Sequence, residues 1–400
     1  MRIGGQDYRS IWINEATGNL EIIDQTMLPH LLTVRVIGDV EAAAEAIYKM
    51  RVRGAPLIGA TAAHGLALAL AVDPSDGALE RAAMMLLGTR PTAVNLAWAI
   101  DRVKAVIKDC PLEARGSRAL SEAIQICDEN ALECEAIGDH GLALLKEVVD
   151  RRSGAGRAVS SASPLQILTH CNAGWLATVD WGTALAPIYK ACQAGLPIHV
   201  WVDETRPRNQ GASLTAFELR EMGVPHTVIV DNAGGHLMQR GHVDAVIVGS
   251  DRTTSAGDVC NKIGTYLKAL AAWDNDVPFF VALPLSTVDW KISDGLVEIE
   301  IEERDESEVR EISGLTEGGA IETVKLFSEE SPAANPAFDT TPARYVTSLI
   351  TERGVCAASR QGLSDLRAQT GTKSPLEESP VVSKRIGVTG GRRVFGISSV

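Results

Sequence analysis

No two cysteines of this chain form a CxxC pair, and none of the seven stands near histidines at the spacing of a zinc site. Cys110, Cys127, Cys134, Cys171, Cys192, Cys260 and Cys356 are odd in number and scattered, which reads as free thiols in a reducing cytoplasm. No metal is expected. There is no basic excess either. Lys and Arg number 38 against 51 Asp and Glu, a net charge of −13, so the clustered basic surface that nucleic acid needs is not expected. The N-terminal "MRIGGQDYRSIWINE" has no cationic start followed by an apolar segment, and no secretory signal is expected. No uncharged apolar run is read as reaching the ~18 residues of a membrane span, so no membrane contact is expected. A GxGxxG fingerprint and a Walker lysine motif are both missing, which leaves nucleotide binding unsupported. No internal repeat is visible.

The rest of the composition is that of an ordinary globular protein, 45% hydrophobic and 22% charged. A chain of 400 residues is too long for one typical core and predicts two domains. Residues 1–155 read as a mainly helical domain with a short β-hairpin. "SIWINEATGNLEIIDQ" supplies two strands around a Gly-Asn turn, and Ala- and Leu-rich stretches of helical spacing follow. The Gly/Ser-rich "RRSGAGRAVSSASP", 151–164, has no periodicity and marks the boundary. From 156 to 360 the pattern changes. "LQILTH", "IHVWVDE", "HTVIVDN", "VDAVIVGSD" and "PFFVALP" are short, β-branched, nearly continuous apolar runs separated by helical segments. Strands buried on both faces and alternating with helices predict a Rossmann-like, doubly wound parallel α/β sheet. Residues 361–400, rich in Ser, Arg and Gly, read as a tail of unassigned role.

In such sheets the site lies beyond the carboxyl ends of the strands. Those ends read His170-Cys171-Asn172, Asp203-Glu204, Asp231-Asn232, Gly249-Ser250-Asp251-Arg252 and Pro284 to Thr287. Each alone has an ordinary reading: an Asp after a strand is more often a helix cap, and a lone Cys is a small core hydrophobe. Around Cys171, however, Asn172 and Gly174 suit a tight turn, and Gly182 to Ala184 would open the next helix. Small residues there let backbone N–H groups approach an anion, and helix N-termini would lower the thiol pKa. The helical domain repeats one pattern, arginine before Pro and a helix, in "MRVRGAPLIG" and "GTRPTAVNL". It reads either as capped helices with solvated arginines or as a phosphate site.

Taken in order, "MRVRGAPLIG", "RPTAVNL", "LTHCNAG", "DETRPRNQGASLTAFEL", "GSDRTTSAGDVCNKIGTY", "PLSTVD", "IEER" and "NPAFDTTPARYVTSLITERG" resemble methylthioribose-1-phosphate isomerases. That family shares its fold with the regulatory alpha, beta and delta subunits of translation initiation factor 2B. The likeness runs from about residue 5 to 356. It implies isomerisation of 5-methylthioribose 1-phosphate to 5-methylthioribulose 1-phosphate in methionine salvage, by a cytoplasmic homodimer without metal or organic cofactor. Matched motif by motif, it puts the catalytic pair on Cys171 and Asp251. Substrate contacts fall on Arg53, Gly54, Ala55, Arg90, Gln210, Asn261 and Lys262.

The residue types suit that reaction. The phosphate on C1 prevents opening to a free aldehyde, so ring opening needs a proton on the ring oxygen. Asp251 would supply it, given burial that raises an ordinary carboxyl pKa of about 3.9. Cys171 as thiolate would take the C2 proton, and Asp251 would return one to C1; a hydride shift from C2 to C1 is the rival route. The arginines and Lys262 would hold the phosphate. Departures from the family pattern stand at Ser213, at Thr253 to Ala256, at Val288 and at Pro187. They read as neutral drift or as a shifted substrate such as 5-deoxyribose 1-phosphate. The competing class is a non-catalytic regulatory subunit of the same fold.

Overall fold

A computed structural model of the chain describes residues 1–90, 93–369 and 393–394. Strands β1 (Ile11–Ile13), β2 (Leu20–Ile23) and β3 (Val34–Ile37) form a small antiparallel sheet, and the first two are the hairpin read around Gly18-Asn19. Helices α1 (Val40–Tyr48), α2 (Ala55–Val72), α3 (Asp76–Leu87), α4 (Val94–Ile107) and α5 (Leu112–Gly154) follow. Side chains of Asp39 and Ser75 cap α1 and α3 by accepting from the third residue on.

Two sequence readings are corrected in this part. Helix α2 has no charged residue over its 18 positions, so one apolar run does reach membrane-spanning length. The other four helices pack on it and 72% of it is buried, which is how its Ala- and Leu-rich surface is used. The aperiodic stretch read as the boundary begins inside α5, which runs on to Gly154, and Arg152 in its last turn is tied to the sheet. Its guanidinium donates to Asp244 at 2.5 Å and to the Pro164 carbonyl at 2.7 Å.

Beyond the helices come β4 (Leu165–Thr169), α6 (Ala186–Gln193), β5 (Ile198–Asp203), α7 (Ala216–Glu221), β6 (His226–Ile229), α8 (Ala233–Gln239) and β7 (Ala245–Val248). Then follow β8 (Arg252–Thr254), β9 (Val259–Lys262), α9 (Thr265–Asp274), β10 (Phe279–Ala282), β11 (Val288–Asp289), β12 (Phe338–Thr341), β13 (Ser348–Thr351), β14 (Gly354–Cys356) and α10 (Arg360–Ala368). The main sheet has seven strands in the order β14-β13-β10-β7-β4-β5-β6, parallel except for β13 with β14. The six strands other than β14 form a doubly wound parallel order, and five of them, β4, β5, β6, β7 and β10, are the apolar runs read from the sequence. One face packs on Ile188, Tyr189, Leu145 and Val148, the other on Met238, Ala269 and Ala272. Ile3, Tyr8 and Leu28, from the start of the chain, lie in the first of these cores.

A second, four-stranded sheet, β11-β8-β9-β12, stands beyond the carboxyl edge and was not read from the sequence. A hairpin of Glu311–Leu315 with Ile321–Lys325 lies outside both sheets. The segment read as a tail opens with α10, which buries Leu363 and Leu366; residues 370–392 and 395–400 lie outside the described residues.

Candidate active site

The strand order reverses between β4 and β7, which pair in parallel with Ile167 opposite Ala245. Chain leaving β4 turns toward β5, and chain leaving β7 turns the other way, so the two ends open a crevice between them. Cys171 follows one strand and Asp251 the other. Cys171 sits at φ 64°, where non-glycine residues seldom rest. Two hydrogen bonds hold it there: its N–H donates to Thr205 Oγ1 at 2.8 Å, and its carbonyl accepts from Thr215 Oγ1 at 2.7 Å. Its thiol points at Gln210 Oε1, 3.5 Å away.

All nine residues named from the sequence line one cavity. Arg53, Gly54 and Ala55 come from the start of α2. Arg90 comes from before α4; Pro91 and Thr92 of its motif lie outside the described residues. Gln210 comes from the loop after β5, and Asn261 and Lys262 from the end of β9. His170, Asn172, Ser250, Pro284 and Phe338 are also in the wall. A wider cleft of about 350 Å³ opens beside it and shares Met50, Arg53 and Gln210 with it. Of the departures from the family pattern, Ser213 lines that cleft, while Thr253 and Val288 pair with each other in the second sheet.

The charges inside are arranged around the Cys–Asp pair. Burial pushes the Cys171 thiol up, while Arg53 and Lys262 pull it back. Burial also raises Asp251, against Lys262, Arg90 and Arg53. Burial lowers Lys262 and Arg53 in turn, and the charges of Cys171 and Asp251 oppose that. Lys262 Nζ donates to the Ala337 carbonyl at 3.0 Å and lies 4.4 Å over the Phe338 ring. Arg90 is not solvated: it is buried and pairs with Glu302 Oε2 at 3.1 Å.

Two expectations about the cysteine loop are corrected. No α-helix opens within the loop, since α6 begins only at Ala186; burial raises the thiol, and what opposes that is Arg53, Lys262 and a backbone contact at Asn172. The loop's backbone N–H groups do cradle an anion, but that anion is the protein's own. Trp175 and Leu176 donate to Glu218 at 2.8 and 3.1 Å, and Asn172 Nδ2 and the Tyr189 hydroxyl complete the set at 2.8 and 2.7 Å. A fully buried carboxylate with four donors fixes the turn after Cys171. Trp175 is part of the packed core, and Trp181 lies under the Lys190 ammonium at 4.5 Å. Asn172 was read from the sequence only as a turn residue, and Glu218 and Glu302 were given no role. "IEER" carried Glu302 as a motif without a partner, and nothing local marked Glu218.

A model of the initiation factor 2 subunit family matches residues 51–358. The chain belongs to that family. It is 60% identical over 367 residues to the methylthioribose-1-phosphate isomerase of Methylorubrum populi, covering 92% of this chain and 98% of the relative. Among solved structures it is similar to 5-methylthioribose 1-phosphate isomerase from Pyrococcus horikoshii OT3. The TM-score is 0.74 at 38% identity, over 90% of this chain and 96% of that one. It is also similar to the translation initiation factor eIF-2B, subunit delta, from A. fulgidus. There the TM-score is 0.72 at 38% identity, over 90% and 99% of the two chains.

Proposed function

We propose that this chain isomerises 5-methylthioribose 1-phosphate to 5-methylthioribulose 1-phosphate, the substrate being the one its relatives are named for. The observation that carries the reading at the site is the closed group of Cys171, Asp251, Arg53, Arg90 and Lys262 around one cavity. Three cations suit a phosphate dianion, and two groups that exchange protons suit an aldose–ketose conversion. Gly54 and Ala55 offer backbone, Gln210 and Asn261 amides, to the sugar.

The steps balance as follows. Asp251 gives its proton to the ring oxygen, which opens the furanose. The Cys171 thiolate takes the C2 proton, and a phosphorylated enol forms. C1 then receives a proton from the Cys171 thiol, and not from Asp251 as first read, because Asp251 has already given its proton to the ring oxygen; the 2-hydroxyl returns one to Asp251. Both groups end as they began, and the ketone stands at C2. Burial favours the protonated carboxyl of Asp251; the same burial pushes the Cys171 thiol up, and Arg53 and Lys262 offset part of that cost of the thiolate.

The reading includes methionine salvage as the setting and a cytoplasmic homodimer as the working form. All seven cysteines are free, which suits a reducing compartment. The test is to incubate the purified protein with 5-methylthioribose 1-phosphate and with 5-deoxyribose 1-phosphate, and to follow ketose formation by NMR. Ketose from the first supports the reading. Ketose from the second alone replaces the substrate, and none from either leaves the regulatory-subunit alternative. In deuterated water, full retention of the C2 hydrogen at C1 would replace proton transfer by a hydride shift.

A further inference from the structure

Beneath the cavity lies a buried polar group that the proton steps above do not use. His170, between β4 and Cys171, is 1% exposed; Asp203, the last residue of β5, is 0%; Lys268 of α9 is 4%. His170 Nδ1 lies 2.8 Å from Asp203 Oδ2, and its Nε2 lies 2.8 Å from the Ile263 carbonyl oxygen. The Lys268 ammonium lies 3.0 Å from the same Asp203 Oδ2 and donates to the Asp231 carbonyl at 2.6 Å. Asp203 Oδ1 takes no hydrogen bond, so Oδ2 carries both contacts.

The proton positions follow from what each atom can do. A carbonyl oxygen only accepts, so Nε2 bears a hydrogen. An oxygen that accepts from an ammonium belongs to an ionised carboxylate, so Nδ1 must donate as well. A ring with two N–H groups is an imidazolium. The surrounding charges agree. Asp203 and Asp231 face the ring from the ends of β5 and β6, and their ligand atoms lie with those of His170 within 4.8 Å of one another. Asp339 of β12 interacts electrostatically with both His170 and Lys268. Three carboxylates against Lys268 alone leave room for a second cation, and Cys171 is the other titratable neighbour. The same His–Asp–Asp set has the donor types of a metal site, but its donors are taken. Lys268 sits on Asp203, and the Asp231 oxygens accept the Thr205 and Arg206 N–H groups at 2.7 and 2.8 Å.

The ring also ties the two halves of the cavity wall. Ile263 follows directly on Lys262, so its carbonyl anchors the end of β9 to the end of β4. Gly264, at φ 101°, brings the next turn onto the imidazole; a Cβ there would stand 3.0 Å from His170 Cε1. We propose that His170 donates from both ring nitrogens, to Asp203 and to the Ile263 carbonyl, as an imidazolium, and that it is the positioning residue that locks the Cys171 loop to Lys262 and adds positive field at the thiol. The functional part of this rests on the proton-moving role given to Cys171 above; the charge of the ring does not.

NMR of the whole protein labelled with 15N-histidine reads the ring directly. At neutral pH one of the eight histidines is expected to carry a proton on both ring nitrogens. Its resonance is expected to vanish in His170→Gln. A wild-type spectrum in which no histidine is doubly protonated overturns the proposal, whether or not any variant folds and whether or not the sugar phosphate is turned over. In folded His170→Gln, alkylation of Cys171 by iodoacetamide, followed by mass spectrometry of its peptide, is expected to need a higher pH. At a given pH the thiolate fraction falls about tenfold, and kcat falls with it while KM holds. An unmoved alkylation profile in that variant overturns the field at the thiol.

Discussion

Arg53 grips Asn172 with both terminal nitrogens, one on the side-chain oxygen at 2.5 Å and the other on the main-chain carbonyl. The two residues are 119 positions apart, so this fork joins the helical part of the chain to the turn that carries Cys171. Asn172 in turn donates to Glu218 and to Thr215, and Thr215 donates to the Cys171 carbonyl. An arginine expected to meet the substrate phosphate is therefore also the clasp that sets the thiol in place.

Cys171→Ser and Asp251→Asn are each expected to lower kcat by ~10²–10⁴-fold, the usual range for losing a positioned acid or base. Substrate should still bind, because the arginines and Lys262 are untouched. Calorimetric titration checks binding and NMR checks turnover. Near-normal turnover in either variant rejects that residue's role.

The pH profile should be bell-shaped. The working state holds one proton between Cys171 and Asp251, so the limbs belong to the pair. Burial places the acid limb above 3.8, the ordinary aspartate value. On the alkaline side a thiol raised from 9.0 and a Lys262 lowered from 10.5 converge. In the residual activity of Asp251→Asn only the thiol of the pair still titrates, so the acid limb is expected to move up to the range of the raised Cys171 thiol. An acid limb left where the wild type has it would assign it to another group.

Arg90→Lys keeps the charge but loses the planar fork that serves Glu302 and would serve a phosphate. KM should rise about tenfold with kcat nearly held, since this contact binds in ground and transition states alike. Steady-state kinetics separates the two, and a large fall in kcat at constant KM would contradict a purely binding role.

Gly54→Ala tests the entry to α2. Gly54 has φ 94°, and a Cβ there would stand 2.3 Å from the Ala177 carbonyl oxygen. The variant combines backbone strain with overlap and should lose roughly 2–4 kcal/mol of stability. Denaturant unfolding measures it; a loss under about 1 kcal/mol would show that the α2 start yields easily.

Glu133, in the middle of α5, tests the contact between the helices and the sheet edge. Burial and the neighbouring Glu352 push its pKa up to about 8. A carboxyl whose folded pKa is raised holds its proton more tightly when folded. Its favourable contribution is complete below about pH 4.5 and is lost as pH rises toward 8. Glu133→Gln should flatten that decline, raising stability at pH 8 by on the order of 2 kcal/mol while changing little at pH 5. Thermal melts at the two pH values decide it.

The parallel strands were legible because buried strands are written as short β-branched runs, and the chemistry was legible because it gathers at their ends. The second sheet was not. Strands β8 and β9 carry Thr, Asn and Lys, and their polar side chains face a cavity or each other, so no apolar alternation marks them. The partner of the cysteine turn was hidden for another reason. Glu218 is 42 and 43 residues from the N–H groups it accepts, and a long-range acceptor leaves no local signature. The loop's glycines suggested an external anion because only the donors were visible. For Arg90 the sequence left a solvated side chain and a phosphate site both open, and its partner Glu302 lies 212 residues away.

Helix α5 gives the molecule a spine. Its 43 residues span about 65 Å at the usual rise. Its early turns bury Ala119, Ala123 and Ile126 in the helical core, and its late turns bury Leu145 and Val148 under the sheet. The walls of the cavity are thus mounted at two stations on one beam. A motion of one wall against the other that leaves both cores intact therefore bends that beam.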